Sequence, residues 1–198
     1  GPIAAAGGLY LWPAERHASL GRATTTSLDK EMLETSVVEG TSLKITRETG
    51  LGELKLTLAK RKLDWDDKLD MDGTPYPIFH TERHTTYSSK TVELQLTGST
   101  DSMSYVAGYY KFEDDAFTYN PQRIFGGGVS IDQNYSGGGT ATAVYGQVTF
   151  ALGDKTDITI GSRKTDEDKN GFGEYVGLFT VSQARSDSNT SNTFIVAH

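Results

Sequence analysis

The sequence contains no cysteine. Disulfide bonds, thiolate metal centres and cysteine nucleophiles are therefore excluded. It also lacks an apolar run near the roughly 18 residues of a membrane-spanning helix, and it shows no basic, apolar start typical of a secretory signal peptide. These absences leave open a membrane-spanning β-barrel, whose strands carry only a weak alternating pattern.

Positive charge is also scarce. The 198 residues include 19 Lys and Arg against 26 Asp and Glu, which gives a formal net charge of −7. Because nucleic-acid binding depends on clustered cations that neutralise phosphates, the composition argues against a nucleic-acid partner. The longest basic cluster, residues 60–62, is typical of a solvated strand face. The length predicts one domain with a sizeable buried core.

Motifs for common catalytic sites are missing. We find no phosphate-binding loop, nucleophile elbow or dinucleotide fingerprint. The sequence has four histidines, so it offers few candidates for the general base of a catalytic triad. Carboxylates are abundant, so a small hydrolase with an acid pair remains an alternative, but nothing selects one pair. The sequence favours a protein without enzymatic activity.

Alternating strand patterns dominate the rest of the chain. Leu54, Leu56 and Leu58 alternate with polar residues, as expected for a strand with one apolar face. We predict an all-β fold, an antiparallel up-and-down meander closed into a barrel of about eight strands, which would leave no exposed edge. Residues 1–34 are predicted to be an irregular arm and residues 35–198 the barrel domain. The predicted strands are residues 37–48, 53–65, 86–96, 103–114, 140–152, 156–165, 174–185 and 192–197.

The predicted connections differ in length. Short turns are expected near residues 50, 99 and 154, and another at residues 168–171. Long irregular stretches are expected at residues 66–84 and 115–138. Such an alternation of short turns and long loops is typical of outer-membrane barrels, although an antiparallel sandwich can also show it.

Several segments follow one another in an order known from one family of barrels: residues 40–45, 52–57, 70–75, 93–98, 105–110, 144–149 and 160–167. From about Thr41 to Thr165 the chain resembles the middle part of the barrel of a TonB-dependent outer-membrane receptor. The resemblance implies a 22-stranded barrel around a plug domain, transport of scarce solutes, and a location in the bacterial outer membrane. We recognise no plug domain and too few strands. We therefore expect a fragment or compact relative of such a receptor, not an autonomous transporter, that contacts a small solute through its loops.

Four lysines depart from this family's pattern. Lys60, Lys90, Lys111 and Lys164 fall on positions where these receptors carry lipid-facing apolar side chains. A lysine at the middle of the bilayer costs about 2–4 kcal/mol, and much less near an interface. In one interpretation all four extend to the rim of the membrane. In the other, slightly favoured because four residues need not reach a rim together, the chain is a water-soluble barrel.

A soluble barrel of this size suggests a different function. It would bind a small ligand or a glycan, and the aromatic side chains of Tyr109, Tyr119, Phe125 and Tyr135 could stack on it. Core or loop packing is the more ordinary explanation for these aromatic residues. The expected partners are therefore a small solute or glycan, together with a membrane if the apolar faces point to lipid.

One segment matches the opening of a calcium loop. Asp166, Asp168, Asn170 and Glu174 could supply oxygen ligands, with a bend at Gly171. The bidentate glutamate expected at the twelfth position is absent. A hairpin turn is the favoured interpretation, since Asn-Gly between two strands is a strong hairpin signal. Calcium is the one candidate cofactor.

Histidines and acids cluster around the predicted loop at residues 66–84. His80, Glu82 and His84 would point to one side of a strand, but the zinc motif they resemble works on a helix. We interpret them as a polar loop edge. The acidic residues at 64, 66, 67, 70 and 72 are interpreted as a solvated loop.

Overall fold

The computed structural model describes residues 4–5, 9–10, 28–153 and 155–198. Two short strands, β1 (Ala4–Ala5) and β2 (Leu9–Tyr10), pair antiparallel. No helix among the described residues is long and apolar enough to cross a bilayer. Seven long strands follow: β3 (Leu33–Thr49), β4 (Gly52–Asp70), β5 (Phe79–Ser99), β6 (Met103–Ile124), β7 (Val129–Ala151), β8 (Asp157–Tyr175) and β9 (Phe179–Ala197).

The seven long strands form one antiparallel sheet in sequence order, β3 to β9. The predicted all-β antiparallel meander is confirmed. The prediction of about eight strands differs by one, because residues 179–185 of the predicted strand 174–185 and all of residues 192–197 lie in the same strand, β9. Within the described residues β3 and β9 pair with one neighbour each, so the sheet is open where a closed barrel was expected. The predicted arm lies mostly outside the described residues.

The strands contain 17 to 23 residues, about twice the length that a transmembrane strand requires. The short turns near residues 50, 99 and 154 are confirmed. The predicted loops at 66–84 and 115–138 and the turn at 168–171 are wrong, because the strands continue through most of them. The connections at the opposite end of the sheet are residues 71–78, 125–128 and 176–178.

We name the two ends of the sheet by these connections. The turn end carries residues 50–51, 100–102, 152–153 and 155–156, and the loop end carries residues 71–78, 125–128 and 176–178. At the loop end, Phe125, Gly126 and Gly127 have positive φ values of 53°, 64° and 93°. This left-handed backbone reverses the chain within four residues, and glycine adopts it without steric cost.

The sheet is a single layer with two different faces. Residues directly opposite each other on paired strands share a face. Face A carries Leu56 and its partners Ile45 and Leu94, and face B carries the alternate residues such as Thr57. The expected buried core is absent from the part of the chain that the structure describes, where Ala143 is the one buried hydrophobic residue. Most large apolar side chains of the described residues are therefore half-buried or exposed on the faces of the sheet.

Candidate functional site

Face A carries a continuous apolar band near the turn end. Its side chains are half-buried or exposed, up to 63% for Val144 and 70% for Phe194. Isolated aromatic residues also occur nearer the loop end, but there they alternate with polar and charged side chains. The apolar band comprises Leu43, Ile45, Leu54, Leu56, Leu58, Val92, Leu94, Leu96, Met103, Tyr105, Ala107, Tyr109, Val144, Val148, Phe150, Ile158, Ile160, Phe194 and Val196.

The upper boundary of the apolar band, toward the loop end, is slanted across the strands. Leu58 is its last apolar residue on β4, and the row of directly opposed residues that starts there reaches β9 at Ser188. On β9, however, the band ends at Phe194, six residues nearer the turn end. Six residues are about 20 Å along a strand, and five strand spacings are about 24 Å. The boundary thus corresponds to a strand tilt of about 40°, within the range of membrane barrels.

The four unusual lysines follow this slanted boundary. Lys60, Lys90 and Lys111 are each the next face A residue beyond the last apolar residue of the band on β4, β5 and β6. Lys164 lies four residues beyond the band on β8. All four lie on face A. The four lysines therefore lie along one slanted line across the sheet, which follows the boundary of the apolar band from strand to strand.

Face B is polar across the same part of the sheet. The Tyr145 hydroxyl donates a hydrogen bond to Glu93 (2.9 Å) and accepts one from Gln95 (3.1 Å). The Arg163 guanidinium lies 5.6 Å from the ring centres of both Tyr110 and Tyr145. The sequence alone does not predict this cluster, since its members lie on four strands and only the register brings them together.

Nearer the loop end, face B holds an ion pair with a buried acid. The Asp67 side chain is 4% exposed, and the Arg83 guanidinium donates to both of its oxygens, from Nε at 3.0 and 3.1 Å and also from Nη2. Hydrogen bonding to Asp67 raises the pKa of Arg83 above its usual value. The guanidinium also lies 4.8 Å from the ring centre of Trp65. This ion pair with a buried carboxylate is therefore on the face opposite the apolar band.

The predicted calcium residues lie on one face of β8, not in a loop. Asp166, Asp168, Asn170 and Glu174 are paired with β7 and β9 on both sides. Alternate residues of a strand lie about 6.7 Å apart, so Glu174 is roughly 27 Å from Asp166 and cannot share an ion with it. Calcium binding by neighbouring members stays a prediction. A titration with Ca²⁺ tests it, since a ligand of the folded state raises the unfolding midpoint.

The predicted polar edge at residues 80–84 belongs to β5. His80, Glu82 and His84 share face A, as predicted, but each has its own partner. Asp29 contacts His80, Lys30 contacts Glu82 and Asp66 contacts His84, at 2.7, 2.6 and 2.6 Å. The two histidines are four residues apart on a strand, about 13 Å, which is too far for one shared ion.

The four predicted stacking residues do not form one surface. Tyr109 and Tyr119 lie on face A of β6, about 33 Å apart at strand spacing. Phe125 is in the turn between β6 and β7, and Tyr135 lies on face B of β7. A single stacking platform built from all four is therefore absent.

Comparison with known proteins supports the fold. No protein-family model matches the sequence, and no curated protein matches it. The structure matches the crystal structure of the ferric yersiniabactin uptake receptor FyuA from Yersinia pestis, a TonB-dependent receptor, with a TM-score of 0.71 and 14% sequence identity. The match covers 82% of this chain and 26% of the receptor chain. The chain therefore has the fold of about a quarter of such a receptor.

Proposed function

We propose that this chain forms a section of the wall of a membrane-spanning β-barrel of the TonB-dependent receptor type in a bacterial outer membrane. The slanted apolar band on face A supports this proposal. In a membrane, lipid covers an apolar outer face without cost. In water, the same face would be a large exposed apolar patch, which is unusual for a soluble monomer. A band that crosses tilted strands obliquely is expected where a flat bilayer meets a barrel wall.

The apolar band and the lysines at its boundary together fit this role. On β6 the band runs from Met103 to Tyr109, about 20 Å along the strand and about 15 Å along the barrel axis at a tilt of 40°. An outer-membrane apolar band is about 25 Å tall. The lysines at the boundary extend it, because their aliphatic stems remain in lipid while the ammonium groups reach water. This geometry favours the rim interpretation of the lysines.

Face B would then line the interior. Its network of Glu93, Gln95, Tyr145 and Arg163 offers hydrogen bonds to water or to a polar filling, as barrel interiors do. A small solute would meet the chain at the loop end, where the eight-residue connection 71–78 lies. Transport by the chain alone does not fit this arrangement, because seven strands in an open sheet enclose no channel.

Single cysteines can test which face meets lipid, because the chain has none of its own. The variants Leu94→Cys (face A, apolar band), Gln95→Cys (face B) and Ser88→Cys (face A, beyond the boundary) are labelled with a fluorophore in lipid vesicles. We expect brominated lipids to quench the label at position 94 and to leave positions 95 and 88 bright.

A second outcome distinguishes the water-soluble barrel. If the chain is monomeric in detergent-free buffer and position 94 is never quenched, the apolar face points to an interior and the membrane proposal is overturned. Equal quenching at positions 94 and 95 would also contradict it, since adjacent residues of a wall face opposite sides.

A further inference from the structure

Three side chains with metal-binding atoms meet at the loop end of face A. Asp70 is the last residue of β4, His80 is its direct partner on β5, and Asp29 precedes β3. His80 Nε2 lies 2.7 Å from Asp29 Oδ1, and the Asp29 backbone N–H donates to Asp70 Oδ2 at 3.3 Å. Ligand atoms of the three side chains all lie within 4.8 Å of one another.

The Asp70 carboxylate is buried without a cation of its own. Asp70 is 8% exposed. Its oxygens accept hydrogen bonds from the backbone N–H groups of Asp72, Gly73 and Asp29, and no ion pair to Asp70 occurs among residues 28–153 and 155–198. Buried carboxylates in proteins are usually paired with a cation or bound to a metal. With Asp29 beside it, the cluster holds two carboxylates against one imidazole.

A nearby third carboxylate is already occupied. Asp72 accepts bonds from the Thr74 side chain and backbone at 2.5 and 3.0 Å and from the Phe79 N–H at 2.7 Å. These bonds shape the 71–78 connection, and Asp72 is not among the side chains whose ligand atoms lie within 4.8 Å of one another. The candidate ligands are therefore Asp29, Asp70 and His80.

We propose that Asp29, Asp70 and His80 bind one divalent transition-metal ion of the zinc type. Bonds of about 2.0–2.2 Å place the ligand atoms of a tetrahedral zinc site about 3.3–3.6 Å apart, so modest side-chain shifts from the present spacing would form the site. A water molecule completes the coordination. The imidazole favours zinc over calcium, because calcium takes six to eight oxygen ligands.

The ion would fasten the segment before β3 to the ends of β4 and β5. This segment already has a second attachment, since Lys30 forms a 2.6 Å ion pair with Glu82. Both contacts join the segment before β3 to side chains of β4 or β5 at the loop end of face A, away from the apolar band. The site therefore does not depend on whether the chain lies in a membrane.

Isothermal titration of the folded full chain with Zn²⁺ tests the proposal. We expect one site in the parent chain, and affinity at least about 100-fold weaker in His80→Ala, because metal affinity already falls about 10–100-fold when only an outer-shell partner is lost. His84→Ala is the matched control: His84 contacts a single carboxylate, Asp66, at 2.6 Å on the same face. That variant should bind as the parent chain does.

Asp29→Asn is a second test variant that we expect to remain folded, since Asp29 lies outside the strands and the change keeps the side chain's shape. It should fold with an unchanged metal-free unfolding midpoint and bind Zn²⁺ at least about 10-fold more weakly. Parent-like affinity in both His80→Ala and Asp29→Asn would overturn the proposal. So would equal losses in His84→Ala, Ca²⁺ binding as tight as Zn²⁺ binding, or no Zn²⁺ binding by the parent chain below about 100 μM, roughly −5.5 kcal/mol.

Discussion

A charge placed in the apolar band tests the slant of its boundary. Leu96 on β5 and Ser162 on β8 belong to the same row, because Leu96 opposes Ala107, Ala107 opposes Gly146 and Gly146 opposes Ser162. A boundary parallel to the rows would treat both positions alike. The slanted boundary places Leu96 inside the band and Ser162 at its edge, next to Ile160.

The expected costs follow from depth in the bilayer. An arginine near the middle costs about 2–4 kcal/mol, and one near an interface about 0–1 kcal/mol. Leu96→Ser supplies the reference for the lost leucine, so the cost of charge is the difference between Leu96→Arg and Leu96→Ser. Leu96 is the band residue of β5 nearest the turn end, so we expect a difference above about 1 kcal/mol, which is about 5-fold in the folding equilibrium, and below the cost at the middle of the bilayer. Ser162→Arg should cost less than about 1 kcal/mol.

Denaturant titration of the chain folded into lipid vesicles measures both costs, with tryptophan fluorescence as the signal. The Ser162→Leu variant serves as an additional control and should be neutral or stabilising, because it extends the apolar surface into lipid. Equal costs for arginine at positions 96 and 162 would refute the slant. Leu96→Arg and Leu96→Ser of equal stability would refute the contact with lipid itself.

Two further predictions concern face B. Arg83→Ala should destabilise the fold by about 1–3 kcal/mol in denaturant unfolding, because it leaves the buried Asp67 carboxylate without its half-exposed partner. Adding Asp67→Asn should restore much of the loss, and a double variant as unstable as the single one would contradict the pairing. Gly108→Ala should cost about 1–3 kcal/mol, since the added Cβ would lie 2.5 Å from the Tyr145 ring and 2.9 Å from a backbone oxygen. Gly146→Ala is the control, because its Cβ approaches a single backbone oxygen at 3.7 Å; equal costs for the two glycines would contradict the steric argument.

The strands were predictable only where one face is apolar. Alternation at Leu54, Leu56 and Leu58 identified β4, and the predicted strand ended at residue 65, although β4 continues to Asp70. Beyond the apolar band both faces are largely polar, so the period-two signal disappears while the backbone ladder persists. The turns at the other end were predicted correctly because they adjoin the band.

Local turn signals failed inside the sheet for a related reason. Asn170-Gly171 is a strong hairpin signal by itself, yet both residues pair with β7 on one side and β9 on the other. Two ladders of backbone hydrogen bonds outweigh the local preference. Similarly, the glycines at 137–139 were predicted to be irregular but allow close approach in β7, where a Cβ at Gly138 would meet the Asp114 carbonyl oxygen at 2.6 Å.

The sequence by itself determined the strand class, the antiparallel order and the presence of apolar residues on alternate positions, because these depend on neighbours along the chain. Only the tertiary structure decided the register, and with it the slanted boundary, the common edge of the four lysines and the meeting of Asp29, Asp70 and His80. The register depends on the sum of many weak pairing preferences along hundreds of ångströms of paired backbone, and no single segment of the sequence contains all of them.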